Sequence, residues 1–533
     1  MDSIRKIITF VTAPIKNFFS NFFPKDFPKR KLFPLLLMLI IEAVSQTIIN
    51  SYIGYLIVDM GMVTSTNQAG RYSGWLISSF SIAQFLSAFL IGAMSDNFGR
   101  RPILLIGTFG IALCNILFGF STNYYYAICV RLMCGFLNGN VGVIKTYMGE
   151  LTTDSNRVQT FSFVGLCWSF GAVFGNFLGG VLYNPVRLYP TLFQSAKVFK
   201  MFPALLPQLF VSVLGFFSYV MAYFYLLENT KNSSNETENI KTAQNKCKKF
   251  GESFKKTFTG MSHFFIKENL WSLCASLEYA CLAFLNTTFI TIYPLLMIAS
   301  VGHGGLGQTT EGVGYFAAIS SLGGFFTLLF LYKPLVNYLG LRYTFILSSV
   351  ITALFYGIFP SLEGVNGSSK MVQWSVFGVY AFVWNVCSQN CFSSISVLIV
   401  NGTTNQYMGA ANGVAQTFGS LTRVVGPICV SPFLSWCLNN GLKYPLNQYM
   451  PFYLMMILGI TTSVLVFAFP LKVDFVKKEK IGADVKEEKK NNHKYKILKE
   501  KEDKEGDLEI EMNQVNELEG EFCASITDKM DFK

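Results

Sequence analysis

The chain has 533 residues, 51% of them hydrophobic and 16% aromatic but only 14% charged. That is more apolar surface than one water-soluble core encloses, so a bilayer is the natural solvent. The formal charge of +11 does not point to nucleic acid, because the lysines and arginines gather in two tails and one central stretch rather than on one folded face. Most of the twelve cysteines, Cys114, Cys167, Cys281 and Cys437 among them, sit in apolar segments without metal-ligand spacing. They read as packing residues, and neither a metal nor a cofactor is expected. Walker loops, zinc-protease helices and nucleophile elbows are absent from the sequence, which leaves ATP-driven transport and membrane enzymology without support.

Residues 1–31 are basic and aromatic, lack a small-residue cleavage site, and read as a cytosolic tail lying along the inner membrane surface. Crossing about 30 Å of hydrocarbon takes roughly 20 apolar residues. Twelve such stretches begin near Leu32, Tyr72, Ile103, Tyr126, Val158, Met201, Leu270, Val313, Tyr343, Gln373, Tyr407 and Gln448. The expected fold class is an all-α membrane protein with twelve transmembrane helices in two six-helix bundles, residues 32–228 and 269–472. Residues 229–268, rich in Lys, Asn, Ser and Glu, form a cytosolic central loop, and the alternating Lys and Glu of residues 473–533 have the composition of a disordered cytosolic tail. One side of the membrane receives both tails, the central loop, Arg100, Arg101, Arg157, Lys333 and Arg342. The other receives Arg71, Arg187, Lys197, Lys200, Lys370 and Lys443. The positive-inside bias therefore puts both termini in the cytosol. The glycosylation pattern at Asn366 then falls in an outer loop, while those at Asn232 and Asn235 fall on the cytosolic side.

Two loops share a pattern. SDNFGRRP follows the second stretch and VNYLGLRY the eighth, so that Asp96 and Asn337, Gly99 and Gly340, and Arg101 and Arg342 pair at one constant offset. A repeat of this kind suits two pseudo-symmetric halves with a substrate site between them near the midplane. The string GAMSDNFGRRP, from Gly92 to Pro102, resembles the signature G-x-x-x-D-R-x-G-R-R of the major facilitator superfamily, with Asn97 in place of the basic residue. The resemblance implies the major facilitator fold and a conformational latch of Gly92, Asp96, Gly99, Arg100, Arg101, Glu150, Gly340 and Arg342, whose charge pairs form in one state and break in the other. A plain positively charged turn is the other reading.

The fourth stretch, RLMCGFLNGNVGVIKTYMGEL, resembles the family's R-x-x-x-G-x-x-x-G motif through Arg131, Gly135 and Gly139. Arg131, Asn138 and Lys145 recur every seven residues and share a helix face. GAVFGNFLGG, in the fifth, is similar to the antiporter motif at Gly171, Gly175, Gly179 and Gly180, with Asn176 where the family has proline. Tight helix packing alone also accounts for these glycines. GAANGVAQTFGSLTRVVGP, in the eleventh, keeps a glycine-proline pair at Gly426 and Pro427, and Met408 precedes it where relatives have arginine. Together these strings resemble the zinc-induced-facilitator-like and tetracycline-resistance-like branch of drug:proton antiporters. That likeness implies a small organic substrate with protons as the second partner; the expected location is the plasma membrane or a vacuolar/endolysosomal membrane.

Glu42 lies about ten residues into the first stretch, near mid-membrane, and Ser45, Gln46 and Asn50 continue its face. The seventh stretch offers Glu278, Cys281 and Asn286; the tenth, Asn385, Gln389 and Ser393; the eleventh, Asn412, Gln416, Ser420 and Arg423. These stripes predict a shared polar cavity lined by Gln46, Asn50, Asn138, Lys145, Asn286, Asn385, Gln389, Asn412, Gln416 and Arg423. A charge at the bilayer centre costs roughly 2.5 to 3.5 kcal/mol, so Glu42, Arg131, Glu278 and Arg423 together cost about 10 kcal/mol unless they face a cavity or each other. A carboxyl kept from water favours its neutral form, which makes Glu42 and Glu278, with Arg131, the proton-coupling candidates. Structural ion pairs with Arg131, Lys145 or Arg423 are the alternative. Trp75, Trp168, Trp271, Trp384 and Tyr293 are available to stack on an organic substrate or simply to pack. The expected function is secondary transport by alternating access, through proton antiport. A nutrient uniporter or symporter and a receptor signalling through the carboxyl tail are the alternatives.

Overall fold

The computed structural model describes residues 29–469 except 139, 152–153, 194, 227–269 and 403–407. The amino-terminal tail up to residue 28, the central loop, the carboxyl tail, Gly139 and the side chains of Asp96, Glu150, Arg157 and Met408 lie outside that description.

Among the described residues the chain forms twelve long helices: α1 (Lys29–Thr47), α2 (Gly70–Phe98), α3 (Arg100–Gly119), α4 (Tyr124–Leu137 and Asn140–Leu151), α5 (Asp154–Leu182), α6 (Leu205–Tyr225), α7 (Leu270–Ile298), α8 (Thr310–Phe326, continuing to Leu339), α9 (Leu341–Ile358), α10 (Lys370–Asn401), α11 (Met408–Asn439) and α12 (Met450–Leu465). Ten spans are long and apolar enough to cross a membrane; α2 and the shorter α12 complete the set. The sixth helix begins at Leu205 rather than near Met201, because Pro203 disfavours helical geometry at Phe202 before it.

The helices pack as two equivalent sets. In the first, α1 packs on α5 and α6, α2 on α4, and α3 on α4 and α6; in the second, α7 packs on α11 and α12, α8 on α10, and α9 on α10 and α12. Every pairing recurs six helices later, and so does the seam between halves, where α5 meets α8 and α11 meets α2. The two halves form one compact unit.

The repeat read from the sequence is a repeat of backbone. Gly99 (φ 96°, ψ 156°) links α2 to α3, and Gly340 (φ 83°, ψ 165°) links α8 to α9, in a region that a β-carbon disfavours. Two residues on, Arg101 Nη2 donates to the Tyr223 carbonyl at 2.7 Å, while Arg342 donates to the Phe467 carbonyl. Each guanidinium also lies over the neighbouring ring, 5.7 Å from the centroid of Tyr223 or Phe467. A cation capping the last carbonyls of a helix is favoured by the helix dipole. The paired arginines thus pin the ends of α6 and α12.

The glycines of α5 set its distance from two neighbours. A β-carbon at Gly171 would lie 2.5 Å from the Ile40 carbonyl oxygen, at Gly175 2.2 Å from Thr47 Oγ1, and at Gly179 2.1 Å from the Ile48 carbonyl oxygen, all on α1 or its continuation. At Gly180 it would lie 2.8 Å from Gly314 Cα, across the seam on α8. Close approach of backbones is what small residues provide where lipid supplies no hydrophobic drive between helices.

Candidate functional site

One end of the molecule, opposite the chain's described termini, is sealed by hydrogen bonds between halves. Asn67 Nδ2 donates to Ser300 Oγ at 3.2 Å and its Oδ1 accepts from Ser300 N at 2.9 Å. Thr66 donates to the Ile298 carbonyl, Tyr55 to the Gln308 carbonyl, and Ser78 to the Val424 carbonyl. Gly70 and Gly74 permit this approach: β-carbons there would each fall 2.3 Å from a carbonyl oxygen of α11, Ser431 and Pro427 respectively. Toward the terminus-bearing end α11 carries exposed residues. Asn412, Gly413 and Gln416 are exposed, and a β-carbon at Gly142 or Gly413 would meet nothing within 4 Å. The α5–α8 seam stays in contact as far as Gly165 and Leu328.

At mid-depth α4 is interrupted. Asn138 leaves helical geometry (φ −96°, ψ 59°) in the run Asn138-Gly139-Asn140, three residues that favour turns over helix. The interruption exposes main-chain groups that a bilayer cannot hydrate, and α2 supplies partners for them. Gln84 Nε2 donates to the Asn138 carbonyl at 3.2 Å, and Ser87 Oγ to the Gly135 carbonyl at 3.3 Å. Beside the break sits Glu42, 1% exposed. Gln46 Nε2 reaches its Oε1 at 3.3 Å, while Oε2 has no hydrogen-bond partner; the Asn138 amide is its neighbour, and Lys145 is within electrostatic reach. A second discontinuity lies in α8, where the helix widens to π geometry over Thr327–Leu331 just before Pro334. The proline ring cannot tolerate the normal placement of the carbonyl four residues earlier, and the wide turn accommodates it.

In the second half α7 and α11 present a phenol and a guanidinium. Arg423 Nη2 and Gln416 Nε2 both donate to the Tyr279 hydroxyl, at 2.9 and 3.2 Å. Lys145, on α4, feels Tyr279 and Arg423 from the other half as well as Glu42 from its own.

The remaining sequence-derived candidates are dispersed. Arg131 lies about two turns farther toward the sealed end, its guanidinium 4.6 Å from the Phe80 ring centroid and near Tyr52 and Cys134. Glu278, 6% exposed, faces Thr462 on α12. Among the described residues no ion pair joins Glu42 or Glu278 to Arg131 or Arg423. Asn286 donates to Ser388 at 2.8 Å, and Asn385 to Ser320 at 3.0 Å; Gln389 packs with Asn385 over Gly324. These amides tie α10 to α7 and α8. Asn50 lies in the single turn that extends α1. Arg100 donates to Ser95 at 3.1 Å within the α2–α3 turn, and Gly426 packs against Thr288 of α7. Tyr293 and Trp384, available to a substrate on sequence grounds, instead belong to a buried ring cluster around Phe289, with Trp384 4.6 Å from Phe289. Two residues that sequence reading passed over matter here: Tyr279, hidden beside a more conspicuous glutamate, and Gln84, an amide midway along a helix whose charged residues lie near its ends.

Two six-helix halves related by a repeat, packed at two seams and hydrogen-bonded to each other at one end, have the architecture of a membrane carrier. The sequence profile described as Major Facilitator Superfamily matches residues 35–427, and the chain belongs to that superfamily of transmembrane transporters, which are not enzymes. Protein ZINC INDUCED FACILITATOR 1 of Arabidopsis thaliana is 29% identical over 395 residues, covering 72% of this chain and 80% of the relative. A probable peptide/nitrate transporter of the same plant is 28% identical over 392 residues, covering 72% and 79%. The crystal structure of a D-xylose-proton symporter matches with a TM-score of 0.62 at 14% identity, covering 83% of this chain and 98% of that one, a likeness of fold alone. The zinc-induced-facilitator resemblance carried by the α4 and α11 strings thus holds over most of the chain.

Proposed function

We propose that this transporter moves a small organic molecule by alternating access and that Glu42 exchanges a proton in each cycle, in the antiport sense that the resemblance implies. One observation supports the reading above the others: a helix break at mid-membrane, held by side chains of α2, lies against a buried carboxyl with one oxygen unpartnered. Discontinuous helices at the seam of repeated halves are where carriers of this architecture bind their cargo. A buried carboxyl at that point, with Lys145 of the same half within electrostatic reach, is placed to take up and release a proton in the cycle.

In this reading the sealed end faces outward and the open cavity faces the cytosol, with both termini cytosolic in the plasma membrane or a vacuolar/endolysosomal membrane. Rocking of the halves breaks the Asn67–Ser300 and Tyr55–Gln308 contacts and closes the opposite end, while the charged turns at Arg100 and Arg101 act as the latch. Glu278 is the second proton-coupling candidate, acting within the second half. Uniport or symport of a nutrient is the second reading, favoured by α5, which runs unbroken through Asn176. Flux of a substrate library into sealed proteoliposomes, with and without an imposed pH gradient, tests the proposal. Gradient-dependent flux of an organic compound is expected, and gradient-independent flux of every transported compound would remove the proton from the mechanism.

A further inference from the structure

Two cations from opposite halves approach one another. Lys145 projects from α4 of one half and Arg423 from α11 of the other, close enough to act on one another. Like charges facing each other across a cleft walled by apolar helices repel strongly, since low-dielectric walls concentrate the field. Arg423 makes one hydrogen bond among the described residues, to Tyr279, which leaves most of its five N–H donors unused. Lys145, partly exposed, has no hydrogen-bond partner among them. Acceptors are scarce: the Tyr279 hydroxyl already takes two donors, and its own proton reaches only Gln416 Oε1, at 3.5 Å. Glu42, the acid within reach of Lys145, has Gln46 on one oxygen and no hydrogen-bond partner on the other, and Glu278 turns toward α12.

We propose that the site formed by Lys145, Arg423, Gln416 and Tyr279 receives an organic anion, whose acidic group bridges the two cations across the seam. This deepens the transport reading above by naming the substrate class. An anion placed there satisfies donors from both halves at once, which is what drawing the halves together around a cargo requires. A cationic compound would meet two like charges with a single carboxyl in compensation, a strong selection against it.

The test reads the field of the cavity without needing the cargo or the transport cycle. Ser420→Cys places a thiol on the α11 face between Gln416 and Arg423, and Gln416→Cys places a second reporter at an exposed position one turn nearer the open end. Each purified full-length variant is reacted with 2-sulfonatoethyl methanethiosulfonate, which is anionic, and 2-(trimethylammonium)ethyl methanethiosulfonate, which is cationic. Rates are corrected for the parent protein and divided by those of the same reagents with free mercaptoethanol. The anionic reagent should be favoured by about tenfold, and Lys145→Gln or Arg423→Gln should each cut that preference severalfold. Preference for the cationic reagent at both reporters, or a ratio that neither neutralisation moves, would overturn the proposal. That outcome would leave transport itself intact, whereas proteoliposomes that carry nothing would overturn the transport reading and leave the measured field standing.

Discussion

Tyr183 donates a 2.5 Å hydrogen bond to Asp59 Oδ2 beyond the spanning part of α1, with Asn184 and Arg187 close by. Burial still holds the Asp59 carboxyl above its ordinary range, against the opposing effects of the hydrogen bond and of Arg187. A folded-state value above the unfolded one means that the group's contribution to stability is complete below the unfolded value and is lost as pH rises through the folded one. Thermal unfolding in detergent, followed upward from about pH 4, should therefore show the wild type losing ground to Asp59→Asn, which keeps an acceptor for Tyr183. A difference between the two proteins that stays constant with pH would contradict this. Trp384 is 1% exposed inside the ring cluster, and truncation of a buried aromatic costs about 3–5 kcal/mol. Trp384→Ala should accordingly lower the unfolding temperature while leaving the identity of the transported compounds unchanged; an altered substrate range would return Trp384 to the cavity wall. Individual residues were the least legible level of the sequence. Glu42 and Glu278 look alike in their stripes, yet one lies beside the α4 break and the other packs toward α12, because helical spacing fixes a face but not the neighbour that face meets.

Helices were legible to within a few residues at their starts, since uninterrupted hydropathy is the strongest signal a membrane chain carries. Their interruptions were not. The Asn138-Gly139-Asn140 run reads as one more turn of an apolar stretch, and nothing local announces that Gln84 from α2 will satisfy the freed carbonyl. The glycine stripe of α5 was visible as a motif, and the structure gives its partners: Gly171, Gly175 and Gly179 face α1 or its continuation and Gly180 faces α8, while Gly70 and Gly74, which no motif marked, hold the seam with α11 at the sealed end. Overlap of a new side chain with backbone at Gly74 has no flexible partner to yield, so Gly74→Val should force α2 from α11 and shift the population toward a state open at that end. Spin labels at Thr64 and Gly302, exposed on opposing halves, should report a longer mean distance in this variant by double electron–electron resonance. An unchanged distance distribution would mean that the seam relaxes locally and that these glycines do not govern closure.

Across the whole molecule, the doubled turn at Gly99 and Gly340 made the two-half plan readable before any contact was known, because a positive-φ glycine followed by a helix-capping arginine is a local requirement met twice. The proposed sidedness, with both termini in the cytosol, rests on the distribution of basic loops. It predicts that Asn366 carries sugar in cells and that Asn366→Gln abolishes a glycosidase-sensitive mobility shift, whereas sugar on Asn232 would invert the topology. Lys145 and Arg423, both read from the sequence as candidate cavity residues, lie 278 residues apart in it, and helical spacing within each half does not by itself say that they come within electrostatic reach of one another. The central claim is that a proton on Glu42 couples the gradient to movement of the cargo. Its most direct test compares two measurements on one transported compound in proteoliposomes: exchange at equilibrium without a gradient, and accumulation driven by a pH gradient. Glu42→Gln should retain exchange within a few-fold of wild type and lose gradient-driven accumulation by about tenfold or more, as expected when a titrating group is replaced by a neutral isostere. Accumulation at the wild-type level in that variant would contradict the account.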